Sequence, residues 1–155
     1  MLRVKRIAAG ELSPLSLELL KSLAAWKDEL NAALGRDHAS LLPDCEFEQD
    51  HVNFFTSYEG SVWEGAQSAL AKPALLELQR HTTEILSYLK GSQALSNPRL
   101  EPQRAYLAQL IEKPVHILVF DGKVPLLLPY ETPSEDKARL AAIPPATVAP
   151  VPTSR

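Results

Sequence analysis

Large apolar residues recur every three or four positions through Leu19, Leu23, Trp26, Leu30 and Leu34, the repeat of one helix face. Ser13 ahead of Pro14 offers an N-cap and a first helical residue whose missing N–H costs nothing there. Gly35 offers the stop. One helix is therefore predicted from Pro14 to Leu34. The repeat returns through Leu75, Leu78, Thr82, Ile85 and Leu89, with Leu76 and Leu86 widening the face, and predicts a helix over 74–90 ended by Gly91. A shorter helix, burying Leu107, Leu110 and Ile111, is predicted between Pro102 and Pro114. Ser61-Val62-Trp63-Glu64 has the spacing of a capping box and predicts a fourth helix running to about Lys72.

The period changes at Val115. Two apolar runs, VHILVF and KVPLLLP, flank Asp121-Gly122, a strong hairpin signal. Val115, Ile117 and Val119 fall on one face of the first run, and Leu118 and Phe120 on the other. A strand apolar on both faces needs cover on both, and a lone two-stranded hairpin is marginal in water. Pro125 cannot donate to a ladder and belongs at an edge or bulge. The first run is then left to pair outward, either with LRVKRI (residues 2–7) as a third strand or with a partner that adds a strand. For residues 36–60 periodicity does not decide between strand and helical turn, although Leu41-Leu42-Pro43 marks a break.

The expected fold is α+β: about four helices with a C-terminal β-hairpin, three-stranded if the N-terminal segment joins it. One domain is expected over 1–130, followed by a Pro-rich tail over 131–155. Within that tail, Ser134 to Ala142 has the composition of two helical turns. IPPATVAPVPTSR cannot bury enough apolar surface to fold alone and is expected to extend as a spacer or clamp arm.

Charge adds a second pattern. Between Asp37 and Ala71 the chain has seven carboxylates and no Lys or Arg, whereas Arg3, Lys5 and Arg6 crowd the first six residues. The net charge of −3 conceals this segregation and argues against nucleic acid as the ligand. Five of the ten aromatics, Phe47, Phe54, Phe55, Tyr58 and Trp63, fall in the acidic stretch. No apolar run approaches the roughly 20 residues that span a bilayer, and no leader segment is read at the N-terminus. The single cysteine, Cys45, excludes an internal disulfide, and a cytoplasmic setting is expected.

Two constellations could carry chemistry. Glu77, His81 and Glu84 lie at i, i+4 and i+7, so they share a helix face, with Tyr88 one turn on. Carboxylate–imidazole pairs at this spacing can hold a divalent metal or set up a general base. A solvated polar face opposite the leucines explains the same spacing. Cys45, Asp50 and His51 could form a nucleophile–base pair, but Asp44, Glu46 and Glu48 around the thiol disfavour the thiolate that such a role needs. His116, inside an apolar strand, reads as structural. The chain has no G-x-G-x-x-G, P-loop, G-x-S-x-G or C-x-x-C, and no cofactor is expected.

The expected function is that of a non-enzymatic interaction module: an adaptor, chaperone or assembly subunit of a bacterial or phage complex. The residues expected to meet a partner are Ile117, Val119 and Phe120 on the hairpin, and Phe47, Phe54, Phe55, Trp63, Glu46, Glu48 and Asp50 on an acidic–aromatic face. The partner would be a protein with a basic surface, or a second copy of the chain. The alternatives are a small metal-dependent enzyme centred on Glu77, His81 and Glu84, and an acidic inhibitor or immunity protein that covers a basic site.

Overall fold

Residues 2–8 do form a strand, but not beside the hairpin. The computed structural model describes residues 1–65 and 67–142. In it β1 (Leu2–Ala8) pairs antiparallel with β3 (His51–Thr56), and β3 pairs antiparallel with β2 (Asp44–Glu48). The first sheet therefore runs β1-β3-β2 and leaves β1 and β2 as its two edges. Gln49 turns β2 into β3 with φ of 54°. Val52 and Phe54 of the central strand are fully buried, so one face of this sheet lies on the core.

The predicted hairpin forms as β5 (His116–Phe120) and β6 (Val124–Leu128). Its third strand is β4 (Val62–Glu64), which pairs with β5 through Val62↔Phe120, Trp63↔Val119 and Glu64↔Leu118. This corrects two expectations. Residues 2–7 do not extend the hairpin, and Ser61-Val62-Trp63-Glu64 does not open a helix. The capping-box spacing is present in the sequence, but Val62 and Trp63 suit a pleated surface, and pairing with β5 outweighs one helical turn. β5 becomes the central strand, and Pro125 sits in β6 at the edge, where a missing N–H is tolerated.

Both apolar faces of β5 are covered by this chain. Leu118 and Phe120 join the main core, together with Leu126, Leu127 and Leu128 of β6. On the other face Val119 packs with Ala71 and Ala74, and Trp63 and Ile117 lie against that small cluster.

Among the described residues the helices number six rather than about four. Ser13 caps α1 (Pro14–Lys21), its hydroxyl accepting from the Ser16 N–H at 3.2 Å. The single long helix expected here divides at Ser22 into α1 and α2 (Leu23–Leu34), because the Ser22 hydroxyl and N–H both turn back to the Leu19 carbonyl. Leu19, Leu23, Trp26 and Leu30 are nevertheless buried as the repeat requires, and Gly35 ends α2 with φ of 112°. A short α3 (Arg36–Ala39) follows.

α4 (Lys72–Leu89) buries Leu78, Thr82, Ile85 and Leu89 and packs on β6 and α5 (Arg104–Glu112). Leu76, expected to widen its apolar face, is 67% exposed. The Glu29 carboxylate of α2 is buried and accepts from Tyr88 Oη and from the Ser96 and Asn97 N–H groups, which fixes the loop after α4. The two turns expected near Ser134 form α6 (Pro133–Ala141), capped by a reciprocal Thr132–Glu135 box, so a helix follows the hairpin. The extended tail expected for IPPATVAPVPTSR lies outside the described residues. Among the described residues no helix is long and apolar enough to cross a membrane.

Candidate interaction surface

The face of the β1-β3-β2 sheet turned away from the core is a band of charge. Side chains that share a row across a sheet share a face. The rows opposite to buried Val52 and Phe54 are Arg3–Phe55–Asp44, Arg6–Asn53–Glu46 and Ala8–His51–Glu48. A register shift between Arg3 and Lys5 lets Arg3 and Arg6 fall on the same, open face. The basic side chains thus line one edge of the sheet and the carboxylates line the other.

These charges are only partly paired. Arg6 reaches across β3 to Glu48, N···O 3.0 Å, and Lys27 of α2 holds Asp44 at 2.9 Å. Arg3, Lys5 and Glu46 have no ionic partner among the described residues. Asn53 lies beneath this layer, buried, and its Oδ1 has no hydrogen-bond partner among the described residues. At the β2 edge Glu46 and Glu48 are exposed, and Phe47 overhangs the core side with 42% of its surface in water. The start of β2 is held inward, since the Cys45 thiol donates to the Leu20 carbonyl at 3.3 Å.

The structure separates the other residues expected at a docking face. Phe54, Val119 and Phe120 lie in the interior, because the sheet and hairpin that carry them are covered by the chain's own helices and by β4. Phe55 is half-buried on the open face of the first sheet. Trp63 and Ile117 are half-buried on the second sheet, against Ala71 and Ala74. Phe47, Glu46, Glu48 and Asp50 remain together at one accessible edge.

Cys45, Asp50 and His51 do not converge. Cys45 shares a row with Phe54 on the core side, whereas His51 shares a row with Glu48 on the open face. His51 Nδ1 meets Asp50 at 2.9 Å, away from the thiol. Burial, then the Asp44 charge, push the Cys45 thiol up to about 11, which keeps it protonated and unreactive at neutral pH.

The helix stripe is only partly the solvated face expected of it: Glu77 and Glu84 stay in contact with water, but His81 does not. His81 is buried, and its ring lies 4.7 Å from that of His38, delivered by α3. His38 Nε2 meets Glu84 at 2.7 Å, and His81 Nε2 meets Glu77 at 3.4 Å. The two carboxylates are held below their ordinary range, Glu77 by the Arg80 guanidinium and Glu84 by His38. His81 is pushed down by burial and by the neighbouring His38. His81 and Glu77 border a cleft of about 280 Å³ between α4 and the start of β6, lined also by Asp37 and Lys123 among others. Among the described residues no group of three or more His, Cys, Asp or Glu side chains is placed to hold a metal. His38 had no sequence signal, since only the packing of α3 on α4 makes it a neighbour of His81.

Comparison with protein-family models, with curated proteins and with solved structures finds no match to this chain.

Proposed function

We propose that this protein is a non-enzymatic interaction module that receives an extended, basic segment of a partner protein along β2. The observation that carries this reading is the β2 edge itself. It is a sheet edge lined by Glu46 and Glu48, with Asp44 before them, Asp50 after them and an exposed Phe47 between them. An incoming strand would gain ladder hydrogen bonds from the open edge, charge pairing from the carboxylates and apolar contact from Phe47. The hairpin plays no part in this reading, because both of its faces are already occupied. An acidic inhibitor would use the same carboxylates on a folded surface, but a strand edge suits an extended ligand better.

The test is binding of a synthetic peptide of alternating lysine and valine, read by fluorescence anisotropy, with an alternating glutamate and valine peptide as the control. The expected result is saturable binding of the basic peptide only. It should weaken about tenfold or more when Glu46→Lys is introduced, or when salt is raised from about 0.01 M to about 0.5 M. Equal binding of both peptides, or binding untouched by Glu46→Lys, overturns the reading.

A further inference from the structure

We infer that the basic segment received by β2 is β1 of a second copy of this chain, so that copies join head to tail through the β1-β3-β2 sheet. This rests on the reading of β2 as a strand-accepting edge and names its occupant. The two edges of the sheet carry opposite sign: Arg3, Lys5 and Arg6 on β1, Asp44, Glu46 and Glu48 on β2. The charges also share a face, since Arg3 and Arg6 stand on the open side with all three carboxylates. Setting β1 of one copy beside β2 of the next brings those side chains to cross-strand distance, about 5 Å between Cβ atoms. It gives Arg3 and Glu46 the ionic partners they lack within the described residues, whereas Lys5 stands on the other face, in the row of Phe54, and adds only to the sign of the β1 edge.

The charge pattern also selects the symmetry. A two-fold pairing of β1 with β1 sets Arg and Lys against Arg and Lys, and β2 with β2 sets carboxylate against carboxylate. Like charges directly opposed destabilise a strand pair. Only the unlike edges match, so the contact is heterologous and generates a ring or an open chain rather than a two-fold dimer. Charged edges commonly serve to block association. That device works when both edges carry the same sign, and here the signs are divided one to each edge. β1 and β2 are both antiparallel to β3, so a neighbour added without inversion continues the sheet with a parallel pair.

Sedimentation velocity on the intact chain tests this. The expected result is a weight-average mass that climbs above the monomer with concentration at about 0.01 M salt and returns to the monomer at about 0.5 M. Two variants leave every internal ion pair in place: Arg3→Glu with Lys5→Glu on β1, and Glu46→Lys on β2. Circular dichroism should show each folded, and each alone should remain monomeric. An equimolar mixture should regain association, because the unaltered β1 of one variant then meets the unaltered β2 of the other. A wild-type monomer under all conditions overturns the inference, as do variants that associate like the wild type or a mixture that stays monomeric. If the wild type is monomeric while the lysine–valine peptide still binds, the head-to-tail contact fails and the strand-accepting edge stands. If the peptide also fails, both fall.

Discussion

His81 sits where burial and local charge act in opposite directions on one imidazole. Burial and His38 disfavour its cation, with Arg80 adding to them, and Glu77 and Asp37 favour it less strongly, so its pKa lies below the ordinary value. The unfolded chain, with a histidine pKa near 6.5, therefore takes up a proton that the folded chain resists. Stability must fall as pH drops through that ordinary value. Glu77 and Glu84 are depressed instead, so the stability they contribute is present above the ordinary carboxylate pKa and is lost at lower pH. Loss of stability on acidification should accordingly begin in the histidine range, ahead of the loss contributed by Glu77 and Glu84. The urea midpoint measured at pH 7.5 and at pH 5.5 should differ in the wild type, and His81→Gln should flatten that difference. An equal slope in the variant would place the pH sensitivity elsewhere.

At the scale of elements, the β5–β6 turn shows how a distant strand depends on one glycine. Asp121 and Gly122 both take positive φ, 54° and 68°. The Asp121 carboxylate accepts from the Ser61 N–H at 2.8 Å, and the Asp121 N–H donates to the Ser61 carbonyl at 2.8 Å, which ties the turn to the approach of β4. Trp63 of β4 lies over Gly122, so a Cβ added there would stand 2.9 Å from the ring. Gly122→Val combines a β-branched residue in the left-handed region with that collision, and should cost about 1–3 kcal/mol. Gly122→Ala should cost less. A urea midpoint unchanged by the valine would mean that Trp63 does not cover the turn. The hairpin was legible because Asp-Gly between apolar runs is a local signal, and so were the buried faces of α1, α2, α4 and α5. Which strand completes each sheet was not legible. Residues 2–7 and 62–64 both suit a strand, and their partners are set by packing around Trp26, Phe54 and Phe120, distant in sequence. The charge segregation was visible too. That it divides between the two edges of one sheet depends on β3 lying between β1 and β2, which no spacing encodes.

The whole molecule is joined at one buried carboxylate that links residues over a hundred positions apart. Glu131, 2% exposed, accepts from Tyr106 Oη at 2.9 Å through one oxygen and from Arg139 Nε at 2.9 Å through the other. Its N–H donates to Ser16 Oγ at 2.7 Å, and its carbonyl accepts from the Ser13 N–H at 2.9 Å. The start of α1, the first turn of α5 and the helix α6 therefore share one network, with the Arg139 guanidinium 5.2 Å from the centre of the Tyr106 ring. Burial pushes the Tyr106 hydroxyl up to about 12, which keeps it a donor at neutral pH. Removing one partner of a buried ion pair leaves the other charge uncompensated, at about 3–5 kcal/mol. Arg139→Ala should therefore destabilise the entire fold by about 3 kcal/mol, rather than loosen α6 alone. Neutralising the stranded carboxylate as well, in the double variant Arg139→Ala with Glu131→Gln, should recover part of that loss, because an amide costs less to bury than an unpaired charge. Urea denaturation followed by Trp26 and Trp63 fluorescence measures both. A double variant as unstable as the single one would show that Arg139 acts by packing on Tyr106 rather than by balancing Glu131.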